Sequence, residues 1–222
     1  MGIAVDGYEV HPQVLSGGEV SAAADAISGV TIRSRAGARH LMRHPEVAAL
    51  ANDQRLLRLA GSALGAGARP FRATLFDKSP AANWLVVWHQ DTALPLRARR
   101  PIAGWGPWSV KAGVVYAQAP AAALESVVAL RVHLDESAPE NGPLRVLPGT
   151  HTQGVLSDEA IRELASRVRP HQATCPRGGV VVMRPLLVHA SSKAATASSR
   201  RVLHIEYART LLLADGIELA IA

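Results

Sequence analysis

The chain has 222 residues, 48% apolar and 19% charged, enough to bury one sizeable core and unlike collagen, a coiled coil or a disordered tail. Its formal charge of +6 rests on 21 arginines and three lysines (Lys78, Lys111, Lys193), but only Arg97, Arg99 and Arg100 cluster, so a nucleic-acid footprint finds little support. The single cysteine, Cys175, rules out an intramolecular disulfide and a cysteine-rich zinc module; no membrane-spanning run and no charged-then-apolar leader are present, so a cytoplasmic protein without membrane contact is expected.

The first third reads as helical. Gly18 to Ser28 is alanine-rich with acidic residues early. A longer helix is predicted from Pro45, with proline at its first position, Glu46 in its first turn and Val47, Leu50, Ala51, Leu57 and Leu64 at helical spacing. Gly65 and Gly67 end it. From Phe71 the pattern changes to short runs rich in Val, Leu, Trp and Tyr between Gly/Pro turns. Strands are predicted over Phe71–Phe76, Trp84–His89, Val110–Gln118, Val127–Leu134, Leu144–Leu147, Gly179–Val182, Leu186–His189 and Val202–Tyr207. One helix interrupts them, capped by Ser157, with Asp158 and Glu159 in its first turn and Ile161, Leu164, Ala165 and Val168 as its apolar stripe. The expectation is one domain over residues 1–222, residues 1–70 as mainly helical support and 71–210 as a β core: a sandwich, jelly roll or barrel.

The chemistry concentrates in three places. In Trp88-His-Gln-Asp91, strand alternation puts His89 and Asp91 on one face and Gln90 on the other, so an imidazole and a carboxylate can reach one metal ion. The same pair also occurs as an ordinary surface contact near a strand end. His189 ends a hydrophobic run and is followed by small residues, the setting of a third ligand or of a core histidine. Two histidines and one carboxylate form a facial triad with open positions, suited to non-haem Fe(II) and accessible to zinc. Arg200, opening the next strand, could take a carboxylate bidentately, as the distal carboxylate of 2-oxoglutarate requires. Arg201 points to the opposite face.

Together these residues resemble the phytanoyl-CoA dioxygenase family of Fe(II)/2-oxoglutarate-dependent oxygenases. The resemblance runs over roughly Phe71 to Ala208 and is carried by Phe76-Asp-Lys-Ser-Pro80, Trp88-His-Gln-Asp91, Leu134-Asp-Glu, Asn141-Gly-Pro-Leu144, Leu147-Pro-Gly-Thr-His151 and His189-x-Ser191 with Arg200. It implies a mainly β fold with α, a double-stranded β-helix (jelly-roll, cupin-like) core with N-terminal helices and one helical insertion. It implies His89, Asp91 and His189 as catalytic iron ligands, and Arg200 with Ser191 at the distal carboxylate of 2-oxoglutarate. Gln90, Thr74 and Arg131 fall at positions that contact this cosubstrate in some members, although Thr74 and Arg131 differ in residue type from those members.

The implied reaction uses Fe(II), 2-oxoglutarate and O2 to hydroxylate an unactivated C–H bond, releasing succinate and CO2. Desaturation or cyclisation would use the same centre, whereas halogenation is disfavoured because Asp91 fills the position it would need vacant. The short chain favours a small metabolite, an amino-acid derivative or natural-product intermediate, over an acyl-CoA. Arg97, Arg99, Arg100, Trp105 and Trp108 are expected at the mouth of the site, where they would suit an anionic substrate or serve as a solvated loop with packing tryptophans. His151 is expected in a structural or pocket role, since the triad is complete without it. A non-catalytic jelly roll that binds a metal or small molecule is the alternative reading, and a zinc hydrolase lacks an evident general base.

Overall fold

The computed structural model describes residues 2–29, 37–79, 82–196, 199–213 and 216–222, so Pro80 of the Phe76–Pro80 motif lies outside the described residues. In chain order the elements are β1 (Tyr8–His11), α1 (Gly17–Ser28), α2 (Pro45–Ala51), α3 (Gln54–Leu64), β2 (Arg69–Lys78), β3 (Val86–His89), β4 (Ala93–Leu96), β5 (Trp108–Lys111) and β6 (Val114–Gln118). There follow α4 (Ala121–Glu125), β7 (Val127–His133), β8 (Leu144–Val146), α5 (Asp158–Arg167), β9 (His171–Ala173), β10 (Val180–Met183), β11 (His189–Ser191) and β12 (Arg200–Ala208). Among the described residues no helix is long and apolar enough to cross a membrane.

The fold is a jelly roll with helices on its outside. A five-stranded sheet in the order β1-β10-β7-β12-β2 faces a four-stranded sheet, β3-β11-β8-β9, while β4-β6-β5 form a separate three-stranded sheet. Every pairing is antiparallel. Strand alternation divides the large sheet into two surfaces. Its outer surface carries Val128, Leu130, Val132, Leu203, Ile205 and Tyr207, which pack with Val20, Val47, Leu56 and Leu64 of the helices. Each such aliphatic side chain contributes about 1.5–3 kcal/mol when fully buried. Tyr207 donates to the Ala51 carbonyl at 2.8 Å, pinning the end of α2 to the sheet.

The inner surface is split. Ala129, Val181 and Met183 meet Leu144 and Val146 of the facing sheet and form an apolar half. Along β2 and β12 the inward positions are instead Arg72, Thr74, Phe76 and Lys78, and Arg200, Val202, His204 and Glu206, as their pairing register requires. A polar wall inside a jelly roll is costly unless each charge is matched, so this half marks where the chemistry sits.

Several elements differ from the sequence expectation. The stretch from Pro45 to Leu64 is two helices, because Asn52 closes α2 and the Asp53 side chain caps α3 by accepting from the Arg55 amide at 2.8 Å. Residues 1–70 also supply an edge strand: β1 pairs with β10 from Tyr8↔Met183 to His11↔Val180. The run Val110–Gln118 is a hairpin that turns at Ala112 and Gly113, both at positive φ, as a two-residue hairpin loop demands. His189 opens β11 rather than closing a strand, since a turn precedes it. Strands β4 and β9 and helix α4 were not expected; β4 contains Pro95, which obscures a strand in sequence.

Candidate metal centre and anion pocket

Strands β3 and β11 pair so that His89 lies directly opposite His189, with a register shift between His189 and Ser191. Asp91, two residues past His89, is held by its own N–H donating to the Pro185 carbonyl at 2.9 Å. The ligand atoms of His89, Asp91 and His189 all lie within 4.8 Å of one another. The two Nε2 atoms stand 3.7 and 3.6 Å from the Asp91 carboxylate oxygens, too far for hydrogen bonds but suited to sharing an ion.

The tautomers follow from the partners. His89 Nδ1 lies 2.8 Å from the Val87 carbonyl and His189 Nδ1 lies 2.9 Å from the Leu187 carbonyl. A carbonyl only accepts, so each Nδ1 carries the proton, and in the neutral ring it is Nε2 that presents a lone pair toward Asp91. His189 is 4% exposed, and burial lowers its pKa to about 3, which keeps the ring neutral. Burial acts to raise the Asp91 carboxyl, but its interactions with the facing His189 and His89 rings, with His204 and with Arg72 reverse this and hold it below its ordinary value. Two neutral imidazoles and one carboxylate with open positions fit Fe(II).

The same residues line a pocket whose other walls include Phe76, Trp84, Val86 and Leu144. Three buried cations enter it: Lys78 (1% exposed), Arg131 (7%) and Arg200 (4%). Asp91 is the one acid in this lining among the described residues. Ser191 Oγ accepts from Lys78 Nζ at 2.8 Å and from the Arg200 guanidinium at 3.3 Å, and donates to the Gly142 carbonyl at 3.0 Å. Gly142 is required there: its φ is +69°, and a Cβ would stand 2.4 Å from the Ser192 carbonyl oxygen. Arg200 Nε also reaches the Asn141 carbonyl, whereas buried Arg131 Nε has no partner. Burial, with Arg200 and Arg131 nearby, lowers the Lys78 ammonium to about 8. Burial likewise lowers Arg131 and Arg200 to about 10. Three buried cations against one carboxylate leave an excess of positive charge that suits a small dianion.

The structure therefore gathers His89, Asp91, His189, Ser191, Arg131 and Arg200 in one pocket. Lys78, absent from the sequence-based set, joins them; its signal was an inward position on β2, one of only three lysines in an arginine-rich chain. Thr74 shares that face but does not line the pocket. Gln90 faces elsewhere: its amide donates to the Gly154 and Leu186 carbonyls at 2.9 and 2.7 Å and accepts from the Leu156 amide at 2.8 Å, leaving nothing for a cosubstrate. Arg201 is spent on the outer side in a two-point pair with Asp135 at 2.8 and 2.9 Å. His151 lines a different cavity, with Arg184 and Leu186. The expected arginine rim has partners on the protein itself: Arg97 pairs with Glu218 at 2.7 Å, Arg100 donates to the Gly216 carbonyl, and Arg99 stacks over Trp108. Trp105 is buried in the cluster of Phe71, Leu94 and Leu124.

Comparison with known proteins agrees with this geometry. L-Proline trans-4-hydroxylase of Streptomyces griseoviridis is 28% identical over an alignment that covers 63% of this chain and 53% of that protein, so the chain spans about half the length of this curated relative. Among solved structures, AviO1 from Streptomyces viridochromogenes Tue57 superposes with a TM-score of 0.66 at 24% identity, covering 93% of this chain and 91% of its own. EctD from S. alaskensis, solved with 2-oxoglutarate and 5-hydroxyectoine, gives 0.68 at 22% identity, covering 93% and 73%. These likenesses establish the jelly-roll fold. The profile of the phytanoyl-CoA dioxygenase (PhyH) family matches residues 5–202, from β1 into β12, and the chain belongs to that family.

Proposed function

We propose that this chain is a single-domain Fe(II)/2-oxoglutarate-dependent oxygenase that hydroxylates a small metabolite. The observation that carries the reading is a His–Asp–His cluster, its lone pairs turned inward, sharing a pocket with three buried cations that lack a counter-anion. His89, Asp91 and His189 would hold the iron. Bound Fe(II) with 2-oxoglutarate and O2 supplies the oxidising power to convert C–H to C–OH, with one succinate and one CO2 released per turnover.

The protein's part is binding, orientation and exclusion of water. Arg200 and Lys78 receive the distal carboxylate of 2-oxoglutarate beside Ser191 Oγ, on which both cations already converge. Arg131 adds charge deeper in the pocket and is held by donating to His204 Nδ1 at 3.2 Å. Phe76, Trp84, Val86 and Leu144 supply the apolar walls. The Val87 and Leu187 carbonyls keep both imidazoles in the ligating tautomer. The named activity of the Streptomyces griseoviridis relative on L-proline supports a substrate of amino-acid size.

The test is succinate release by the purified protein, with iron and 2-oxoglutarate each omitted in turn. Release that needs both supports the proposal. No release across a broad panel of small metabolites would favour a binding protein, and activity that survives replacement of iron by zinc would favour a hydrolase.

A further inference from the structure

The inner wall of the large sheet holds its cations at two levels. Arg200 opens β12 opposite Lys78, and both converge on Ser191. Arg131 stands on β7 opposite His204, four residues further along β12, a span of about 13 Å. Phe76 pairs with Val202, midway between the two levels, and lines the pocket that all three cations enter. Its ring centre lies 5.4 Å from the Arg131 guanidinium, and it meets the His204 ring edge-on at 5.7 Å, so the three side chains pack as one group.

Arg131 is buried, yet among the described residues it forms no ion pair. It donates to His204 Nδ1 at 3.2 Å, while its Nε has no partner. A guanidinium only donates, so His204 Nδ1 is a bare acceptor and the ring proton sits on Nε2. That tautomer is supported from behind. Arg72 holds both carboxylate oxygens of Glu206, and Glu206 faces His204 Nε2 at 3.9 Å. At that distance the attraction is electrostatic rather than a hydrogen bond, and it favours the proton on Nε2. His204 and Glu206 are both buried, so bulk water does not screen the arrangement.

Resting on the oxygenase reading above, we propose that His204 is a positioning residue for cosubstrate binding. By accepting from Arg131 it holds that guanidinium ready for the carboxylate of 2-oxoglutarate that Lys78 and Arg200 do not take. A dianion with its charges at two ends matches cations at two levels of one wall. Without His204 the Arg131 side chain loses its anchor, and the ligand itself must order a long, flexible cation.

Anaerobic calorimetric titration of 2-oxoglutarate into the Fe(II) protein tests this, because it reads Kd and the number of competent sites without turnover. Arg131→Met should weaken binding about tenfold or more, the scale of one charge-assisted hydrogen bond. His204→Leu should weaken it about threefold to tenfold, the scale of ordering one long side chain. His204→Asn, whose Oδ1 can accept in place of Nδ1, should recover most of that loss. In the Arg131→Met background, His204→Leu should change Kd by less than about twofold, because His204 acts only through Arg131. A residue that merely supports the fold would weaken binding equally in both backgrounds. Three results would each overturn the assignment: wild-type affinity in His204→Leu, losses that multiply in the double variant, or a His204→Asn protein with its full number of sites that binds no better than His204→Leu. If the wild type binds no 2-oxoglutarate, the oxygenase reading fails first and this one falls with it.

Discussion

Replacing Lys78 with methionine separates stability from function in a way that few buried substitutions do. Its ammonium is driven from 10.5 to about 8, chiefly by burial and then by Arg200 and Arg131, which amounts to roughly 3 kcal/mol held against the charged form. Against that stand its bonds to Ser191 and Ser192, about 1 kcal/mol each, and a cation–π contact with Trp84 at 5.6 Å, about 0.5–1 kcal/mol. The terms nearly cancel, so Lys78→Met should leave the stability of the cofactor-free protein at pH 7 within about 1 kcal/mol, a Tm change of about 2–4 °C. Affinity for 2-oxoglutarate should fall about tenfold to a hundredfold, since one charged donor to its carboxylate is gone. Urea unfolding of the free protein and anaerobic calorimetric titration of 2-oxoglutarate into the Fe(II) form read the two quantities. The sign with pH is fixed: the folded protein bears the penalty fully below about pH 8 and sheds it as pH rises toward 10.5. Cosubstrate binding by the wild type should therefore weaken as pH rises through about 8, and Lys78→Arg should remove that dependence. Wild-type 2-oxoglutarate affinity in Lys78→Met, or its loss of several kcal/mol of stability, would refute the reasoning.

Asp91→Ala should abolish turnover and weaken Co(II) binding, followed by its visible spectrum, because two neutral imidazoles alone offer no charge to the ion. Arg200→Ala should raise the 2-oxoglutarate KM by about tenfold or more, whereas Arg201→Ala, which loses only the partly exposed Asp135 pair, should cost within about 1 kcal/mol in stability and leave that KM unchanged. Equal effects of the two variants would reverse the assignment of strand faces. Gln90→Leu strands two carbonyls and one amide, so it should lower stability by about 2–3 kcal/mol and Co(II) affinity about tenfold to a hundredfold. Unchanged metal affinity in a folded Gln90→Leu protein would show that Gln90 fastens the loop alone.

What could be read from sequence depended on whether the signal was local. The inward pairing of His89 with Asp91 follows from a two-residue period, and the position of Arg200 at the head of β12 follows from the apolar run behind it. Gln90 sat in the right motif, but its partners Gly154, Leu156 and Leu186 are far away in sequence, so its fastening role had no local signature. The rim arginines show the converse. Their clustering was visible, while Glu218 and the Gly216 carbonyl, which consume Arg97 and Arg100, lie on a C-terminal segment with no periodicity to announce it. Lys78 was hidden for a third reason: a single lysine ending a strand reads as solvent punctuation until β12 and β11 close over it. The break between α2 and α3 was local and legible in principle, since Asn52 and Asp53 are a stop and a cap within one amphipathic stretch.

The pairing of His89 with His189 carries a further consequence, this time for assembly. The two rings come from strands about a hundred residues apart in sequence, so their meeting closes a long loop and carries a loop-closure entropy that only the finished jelly roll can offset. The unfolded chain has no such site, and an ion gripped by both strands would bind the native state alone. Metal loading would then act as a removable cross-link between the edge strand β3 and its neighbour β11, raising Tm with ion concentration and slowing their separation.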